Sequence, residues 1–361
     1  MSDMRIGIAG AGLVGRLLAW RLLRAGHTVT LIDQDDGSGQ HAAAYIAAAM
    51  LAPYSEAVGT GHALLAPGLQ AIALWRRWLQ ELQRDSGHDV PWQQRGSVVV
   101  AHPLDRGELL WFQERLAALT HGAADTCQTL DRAALLSLES ELCAFDAGLY
   151  LPHEGCLDNR ALFSALAQAI TLGGGHWLKG RNIIEVSQGR ITTTHDSHDF
   201  SLALDCRGLG AKAQVKGLRG VRGELLWLHA PEVNLSRPVR LMHPRYQLYI
   251  APRPAAVYVI GATEIESDSM APITVRSELE LLSALYSVHG GFSEASVLEA
   301  RSHCRPAFAD NLPQLIATPG LVQVNGLYRH GYLLGPLMVE SVLALLAGRA
   351  VLPPIGLHGY L

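Results

Sequence analysis

A glycine-rich turn near the N-terminus constrains the fold of this chain more than any other feature. The segment GAGLVG places Gly10, Gly12 and Gly15 at the spacing GxGxxG, after an apolar run at 5–9, and Asp33 ends a second β-rich run eighteen residues beyond Gly15. In such a turn the first glycine allows the tight bend, the second lets backbone approach a pyrophosphate, and the third lets helix and strand pack closely. The pattern predicts a βαβ unit that binds a dinucleotide.

The expected helix explains how such a unit binds its ligand. Its N-terminus carries the positive end of the helix dipole, which attracts phosphates, and Asp33 can accept hydrogen bonds from ribose hydroxyls. A glycine-rich turn can also arise for steric reasons alone, but the strand, turn, helix, strand and acid together favour the dinucleotide. The fingerprint does not distinguish NAD from FAD.

Length and charge narrow the protein class. At 361 residues, with 49% hydrophobic residues, the chain exceeds the size of most single cores, so two domains are expected. The net charge of −4 gives no basic stripe, which argues against a nucleic-acid partner. The five cysteines form no CxxC pair and the sixteen histidines no HExxH motif, so no metal site is predicted.

The N-terminus and the hydropathy indicate a cellular location. The chain passes directly into the first β-rich run without the charged and apolar regions of a signal peptide. No window offers about eighteen consecutive apolar residues, the length needed to span a bilayer. We therefore expect a soluble, cytoplasmic protein without an integral membrane segment.

Periodicity predicts alternating helices and strands beyond the first unit. Helices are predicted near 66–84, within 105–142, and at 158–174, 276–290 and a last segment opened by Gly335 and Pro336. Strands are predicted at 96–101, as an antiparallel pair within 181–194, within 200–208, and as a meander of three runs at 223–229, 246–253 and 256–264. The chain shows no internal repeat or low-complexity linker, so we expect the two domains to be interleaved.

Six segments resemble the D-amino-acid oxidase superfamily, and most closely its glycine oxidases. They follow that family's order and spacing: AAAYIAAAMLAPYSEA (42–57), GCLDNRAL (155–162), VRGELLWL (221–228), YIAPR with VYVIGATE (249–264), CRPAFADNLPQL (304–315) and GLYRHGYLLGP (326–336). The resemblance covers essentially the whole chain. It implies an α/β fold in which a Rossmann-like, doubly wound FAD-binding domain (1–80, 150–210 and 300–361) is interleaved with a mixed antiparallel-sheet substrate domain (81–149 and 211–299).

The resemblance also implies an activity. Members of the family oxidise an amine next to a carboxylate, passing a hydride to flavin N5, after which the imine hydrolyses and an acceptor such as oxygen reoxidises the flavin. The implied reaction is oxidative deamination of glycine, sarcosine or a small D-amino acid, with a link to thiamine thiazole synthesis. Two alternatives stay open: a dehydrogenase of the same fold that passes electrons to a quinone or a partner subunit, and a flavin-binding subunit without turnover. Assembly into a homo-oligomer is also open.

The resemblance assigns roles to particular residues. FAD is expected to contact the glycine turn, the ends of the first strands, the small-residue loop and the segment before the last helix: Gly10, Gly12, Leu13, Val14, Gly15, Asp33, Gln34, Ala48, Ala49, Met50, Ile183, Tyr328, Arg329, His330, Gly331, Tyr332 and Leu333. Read without the resemblance, AAAYIAAAM (42–50) could equally be a buried helix.

Three residues are expected to take part in catalysis. Arg305 matches the family's carboxylate-binding arginine, whose fork suits a planar carboxylate, and Tyr249 matches the tyrosine that adds a hydrogen bond. Arg329 is expected beside the flavin, where it sets the electrostatics of the pocket.

Three features depart from the glycine oxidase pattern, two at single residues and one at a strand end, so the substrate need not be glycine. Gln247 stands in place of a histidine and Glu264 in place of a methionine, while Asp205 and Arg207 end a strand that is more apolar in relatives. A carboxylate at 264 could attract a substrate ammonium or face solvent.

Overall fold

Nine α-helices lie within residues 3–123, 125–245, 247–350 and 356–358, which the computed structural model describes. They are α1 (Leu13–Arg24), α2 (Ala43–Ile46), α3 (Pro53–Thr60), α4 (Leu65–Ser86), α5 (Arg106–Thr120), α6 (Arg132–Leu138), α7 (Asn159–Leu172), α8 (Val275–Val288) and α9 (Gly331–Leu346). Short 3-10 helices occupy His62–Leu64, Pro103–Asp105, Gly208–Ala211 and Gly290–Glu294.

The strands of the same described ranges form four sheets. They are β1 (Arg5–Ala9), β2 (Thr28–Ile32), β3 (Met50–Leu51), β4 (Trp92–Gln93), β5 (Ser97–Ala101), β6 (Gln128–Asp131), β7 (Ala147–Leu151), β8 (Gly155–Leu157), β9 (His176–Leu178), β10 (Ile183–Ser187), β11 (Arg190–Thr193), β12 (Ser197–Asp199), β13 (Leu202–Asp205), β14 (Arg219–His229), β15 (Val239–Met242), β16 (Gln247–Arg253), β17 (Val257–Gly261), β18 (Ile265–Glu266), β19 (Ser296–Ala307), β20 (Gln314–Thr318), β21 (Leu321–Asn325) and β22 (Gly356–His358).

A seven-stranded sheet carries the N-terminal βαβ unit. Its order is β22-β20-β21-β13-β1-β2-β9, and β1 pairs in parallel with both β2 and β13. Helices α1, α4, α7 and α9 pack against one another and share a core cluster with this sheet. The small sheet β10-β11-β12 covers the other face, where Val186 and Ile191 contact Ala9, Ile32 and Ala203. The predicted α/β fold is confirmed, and the βαβ unit begins and ends within a residue of its predicted bounds.

A nine-stranded mixed sheet forms the second layer. Its order is β18-β14-β17-β16-β15-β5-β7-β6, with β19 paired to β14, and all pairs are antiparallel except β5 with β15. The predicted three-strand meander is wrong in its order, because β17 lies between β14 and β16. The region 105–142, predicted as helical, also contains β6, an edge strand too short and too exposed to give an alternating pattern.

The last helix begins earlier than predicted. It starts at Gly331, and Pro336 lies inside it rather than at its opening. Proline cannot donate to the carbonyl four residues back, which belongs to Tyr332. Trp75 Nε1 donates to that carbonyl at 2.7 Å, so the helix accommodates the proline without leaving the oxygen unpaired.

The division into two interleaved domains stays a prediction. All strands of the seven-stranded sheet fall within 1–80, 150–210 and 300–361. The boundaries near 150 and 300 fall inside β7 and β19. We propose that a division at strand ends would shift those boundaries by a few residues.

Candidate active site

A cavity of about 2100 Å³ lies between the two large sheets. Residues that follow β1 and β2 line one end, and one face of the nine-stranded sheet lines the other. Typical small-molecule pockets measure roughly 300–1,000 Å³. The cavity therefore has room for a dinucleotide together with a small substrate.

The glycine turn has the geometry that a bound pyrophosphate needs. A Cβ on Gly15 would lie 1.9 Å from the carbonyl oxygen of Gly10, which fixes the close approach of α1 to β1. A Cβ on Gly12 would meet no atom of the described residues within 4 Å, so this side of the turn is open to the cavity. In the described part of the chain no side chain caps the N-terminus of α1, which leaves its first amides available to an anion. Asp33 Oδ2 accepts from the amide of Ala11 at 2.6 Å.

A buried arginine that was not predicted from the sequence connects the glycine turn to two other segments at this end of the cavity. Arg16 donates from Nε to the carbonyl of Ala11 at 2.8 Å, from Nη2 to Gly37 at 2.9 Å, and from Nη1 to Phe163 at 3.1 Å. Burial lowers its pKa to about 10, although Asp35 and Asp33 oppose the shift. The signal in the sequence was an arginine on the apolar face of the first predicted helix.

The small-residue loop at 42–50 is not a long buried helix. Only Ala43–Ile46 is helical, and Ala49 has a positive φ of 49°. Side chains from distant elements hold its carbonyls: Arg253 Nη2 donates to Ala48 at 2.6 Å, Asn159 Nδ2 to Tyr45 at 2.6 Å, and Tyr332 Oη to Ala44 at 2.8 Å. These roles of Arg253 and Asn159 were not predicted, although both residues lie in segments that resemble the family.

One row of the nine-stranded sheet forms the wall of the other end. Strand pairing aligns Arg240 with Tyr249, Tyr249 with Gly261 and Gly261 with Leu225, so these residues share the face that borders the cavity. A Cβ on Gly261 would lie 2.8 Å from the Tyr249 hydroxyl oxygen, so glycine makes room for the ring. Burial raises the pKa of Tyr249, which keeps its hydroxyl protonated.

Arg305 lies on the same wall, across a second glycine. A Cβ on Gly223 would lie 2.3 Å from Arg305 Nη2, so any residue other than glycine at 223 would displace the guanidinium. Arg305 Nη1 donates to the carbonyl oxygens of Thr263 at 3.2 Å and Arg222 at 3.4 Å. Among the described residues no carboxylate forms an ion pair with Arg305. The guanidinium is therefore positioned by backbone and open to an anion in the cavity.

A chain of alternating charges borders the same region. Glu56 Oε2 accepts from Arg329 Nε at 2.6 Å, and its Oε1 lies 3.3 Å from Arg240 Nη2. His330 Nδ1 lies 3.1 Å from Glu56 Oε2, and Glu264 Oε2 lies 3.3 Å from Arg329 Nη1. Burial alone would raise the pKa of Glu56, but Arg329, His330 and Arg240 together hold it below its ordinary value. The charge of Glu56 raises the pKa of Arg329, which stays protonated.

Glu56 was missed at the sequence level. It is an acidic residue in a largely apolar stretch, AAAMLAPYSEAVG (47–59), and such a residue is buried only when it is paired. That pattern could have identified it, but not its partner Arg329, which lies 273 positions away in the chain.

Most of the predicted site residues line this one cavity: Gly10, Gly12, Leu13, Val14, Asp33, Gln34, Ala48, Ala49, Met50, Ile183, Tyr249, Arg305, Tyr328, Arg329, Gly331 and Tyr332. Gly15, His330 and Leu333 lie behind the wall instead. Gly15 acts in the packing of α1 on β1, and the His330 ring faces Glu56. A direct contact with a cofactor stays a prediction for these three residues and for those that line the cavity.

The three departures from the family pattern differ in what they do. Arg207 forms an ion pair with the buried Asp205, 2.8 Å between Nη2 and Oδ2, so these charges neutralise each other at the end of β13. Glu264 lines the cavity and pairs with Arg329. The side chain of Gln247 lies outside the described residues.

Neither a metal-binding cluster of side chains nor a membrane-spanning helix is found within the described ranges. No group of three or more histidine, cysteine, aspartate or glutamate side chains there is arranged to hold a metal ion. No helix there is both long enough and apolar enough to cross a bilayer.

Comparisons with known proteins agree with this geometry. Residues 5–344 match the family described as DAO, FAD dependent oxidoreductase. The putative thiamine biosynthesis oxidoreductase ThiO of Rhizobium etli is 38% identical over 340 residues, which cover 94% of this chain and 95% of that protein.

The solved structures that share the fold include two oxidases. Glycine oxidase from Geobacillus kaustophilus superposes with a TM-score of 0.84 at 24% identity, over 98% of this chain and all of that one. Iminodiacetate oxidase from Chelativorans sp. superposes with a TM-score of 0.81 at 21% identity, over 98% and 99% of the two chains. Since the family match spans nearly the whole sequence, the chain belongs to the DAO family of FAD dependent oxidoreductases.

Proposed function

We propose that this chain oxidises a small amino acid, namely glycine, sarcosine or a small D-amino acid, with FAD as its cofactor. The observation that carries the proposal is Arg305. Its guanidinium borders the cavity, is held by two backbone carbonyls, and has no carboxylate partner among the described side chains. A positioned arginine of this kind is suited to bind the carboxylate of an amino acid bidentately.

The residues of the other end fit FAD. Open space beside Gly12 and the uncapped N-terminus of α1 suit the pyrophosphate, and Asp33 suits a ribose. Asn182 and Ile183 border the cavity near this end, where we propose the adenine. The loop at 47–50 would lie along the flavin ring, because its small side chains and the positive φ of Ala49 permit a close approach.

The residues of the wall would position the substrate. Arg305 would hold the carboxylate while Tyr249, protonated because burial raises its pKa, would donate one further hydrogen bond. Leu225 and Ile46 would provide an apolar surface that excludes water from the reacting carbon. When bound, the flavin supplies the two-electron acceptor for the Cα–H bond, and the protein supplies orientation and charge.

A role in thiamine biosynthesis is the metabolic context that we propose. It is supported by the 38% identity to the Rhizobium etli protein over nearly the full length of both chains. We propose oxygen as the electron acceptor, and the experiment below distinguishes it from a quinone or a partner subunit.

The test is anaerobic mixing of the flavin-loaded protein with glycine, sarcosine, D-alanine, D-proline and L-proline in turn. Loss of the flavin absorbance identifies the substrate, and its return on admission of air identifies oxygen as acceptor. Acid precipitation of the same sample should leave FAD in the supernatant, since we expect non-covalent binding. A protein that binds FAD but is not bleached by any of these amino acids contradicts the proposed reaction.

A further inference from the structure

Glu264 occupies a place in the cavity that backbone pairing fixes. Thr263 is hydrogen-bonded to β14: its amide donates to the carbonyl of Glu224 at 3.2 Å, and its hydroxyl to the carboxylate of Glu224 at 3.1 Å. Ile265 pairs with Arg222. Glu264 therefore lies between two residues that are both paired with β14, and it lines the cavity together with them.

This carboxylate lies next to the proposed carboxylate site. The carbonyl oxygen of Thr263, the preceding residue, accepts from Arg305 Nη1 at 3.2 Å. Glu264 Oε2 lies 3.3 Å from Arg329 Nη1, and Arg329 in turn donates to Glu56 at 2.6 Å. Two carboxylates of the protein therefore share Arg329, whereas Arg305 pairs with none among the described residues.

We propose that Glu264 is a specificity residue that occupies the binding position on Arg329 which a second substrate carboxylate would otherwise take, so that the site accepts monocarboxylate amino acids and rejects N-carboxymethyl amino acids such as iminodiacetate. The proposal rests on the proposed function for the meaning of Arg305. A second carboxylate would meet the negative charge of Glu264 and would find Arg329 already paired, and juxtaposed like charges are unfavourable in such a site.

The substrate class follows from this arrangement. Glycine and sarcosine carry one carboxylate, which Arg305 would bind, and their amine substituents are uncharged. Iminodiacetate carries the same secondary amine as sarcosine but has a second carboxylate bonded to the carbon that is the N-methyl group of sarcosine. Replacing Glu264 by Gln keeps the size of the side chain, removes the repulsion and leaves Arg329 with one carboxylate partner fewer.

The turnover test compares sarcosine with iminodiacetate in wild type and in Glu264→Gln. We expect the ratio of kcat/KM for iminodiacetate to kcat/KM for sarcosine to rise by about tenfold or more in the variant, because the repulsion of the second carboxylate is removed. The Glu264 side chain is half exposed, so solvent screens its charge and limits the size of this rise. In Glu264→Asp, which keeps the charge, the same ratio should rise less. Glu266→Gln is the matched control: it removes the same charge two residues away, from a carboxylate paired with Arg219 outside the cavity lining, and should leave the ratio unchanged.

A binding test separates this inference from the proposed function. Methoxyacetate and diglycolate are the ether analogues of sarcosine and iminodiacetate, and their affinities can be measured by calorimetry without turnover. We expect wild type to bind methoxyacetate more tightly than diglycolate, and Glu264→Gln to narrow the difference by about tenfold. Equal binding of the two by wild type, or an unchanged difference in Glu264→Gln, overturns the inference. Failure of every amino acid to bleach the flavin would instead overturn the proposed function while leaving the binding result interpretable.

Discussion

Replacing Arg305 by Ala removes the guanidinium on which the substrate proposal depends. In the free protein its Nη1 meets two backbone carbonyls at 3.2 and 3.4 Å, so the side chain is already positioned before a carboxylate binds. Loss of one partner of a buried, hydrogen-bonded charge pair costs about 2–5 kcal/mol. Arg305 is half-buried, so we expect about 3 kcal/mol, which corresponds to a roughly hundredfold loss of affinity.

The assay is anaerobic stopped-flow reduction of the flavin as a function of amino-acid concentration, which separates affinity from the limiting rate. Arg305→Ala should raise the apparent dissociation constant while FAD content stays at the level of wild type, because no predicted flavin contact is altered. Arg305→Lys keeps the charge but loses the fork, and we expect a loss of about tenfold. Arg219→Ala, on the neighbouring strand and paired with Glu266, controls for loss of a cation outside the cavity lining.

Glycine methyl ester supplies the decisive comparison. Wild type should bind it far more weakly than glycine, because the ester has no negative charge for Arg305. Arg305→Ala should treat the acid and the ester nearly alike. If the variant keeps the wild-type preference for the acid, the carboxylate is bound elsewhere and the reasoning from Arg305 is wrong.

Four further outcomes are expected. Tyr249→Phe should weaken substrate binding by about 0.5–1.5 kcal/mol in the same stopped-flow assay, and an unchanged affinity would remove this hydroxyl from the site. Glu56→Gln should lower Tm by roughly 5 °C or more, because it removes the buried negative charge that Arg329 and Arg240 both contact. Since the pKa of Glu56 in the folded protein lies below its ordinary value of 4.5, this stabilisation is present above pH 4.5 and is lost as the pH falls through the folded pKa. Calorimetry should therefore show the difference in Tm between wild type and Glu56→Gln shrinking in acid. A difference in Tm that does not change with pH would contradict the assignment. Gly223→Ala should weaken substrate binding by about tenfold or more with normal FAD content, because the new Cβ would displace the Arg305 guanidinium, and retained affinity would show that the guanidinium can shift at no cost. Trp75→Phe should lower the unfolding free energy by about 1–3 kcal/mol in urea, because the carbonyl of Tyr332 loses its donor, and unchanged stability would mean that water replaces the indole.

The parts of the fold that the sequence predicted depend on short-range signals. The turn at Gly10 to Gly15, the helix α1 and the acid at Asp33 lie within one contiguous unit, so spacing alone predicts it. Helices α4, α7 and α8 were predicted from periodicity and are present close to their predicted bounds. Each of these helices buries one face in the core, and that face appears in the local sequence as apolar residues at helical spacing.

The parts that the sequence did not predict depend on contacts between distant segments. The start of α9 was misplaced because a proline usually opens a helix, and nothing local indicates that Trp75 replaces the missing donor 257 positions away. The order of β14, β17 and β16 was wrong because alternation reveals a strand but not its neighbour. Edge strand β6 has only one buried residue and therefore no period to detect.

In the candidate site, too, the sequence indicated which charged residues lie together but not how they are paired. Family resemblance placed Arg305 and Arg329 in one pocket, but two arginines in one pocket look equivalent in a sequence. The structure distinguishes them by their partners: Arg329 meets Glu56 and Glu264, whereas Arg305 meets only backbone oxygens among the described residues. A cation already balanced by two carboxylates gains little from a third, while an unbalanced and positioned cation gains most from the first anion that arrives. The amino-acid carboxylate should therefore bind Arg305, and Arg329 should act on the flavin and on selectivity through the carboxylates that hold it.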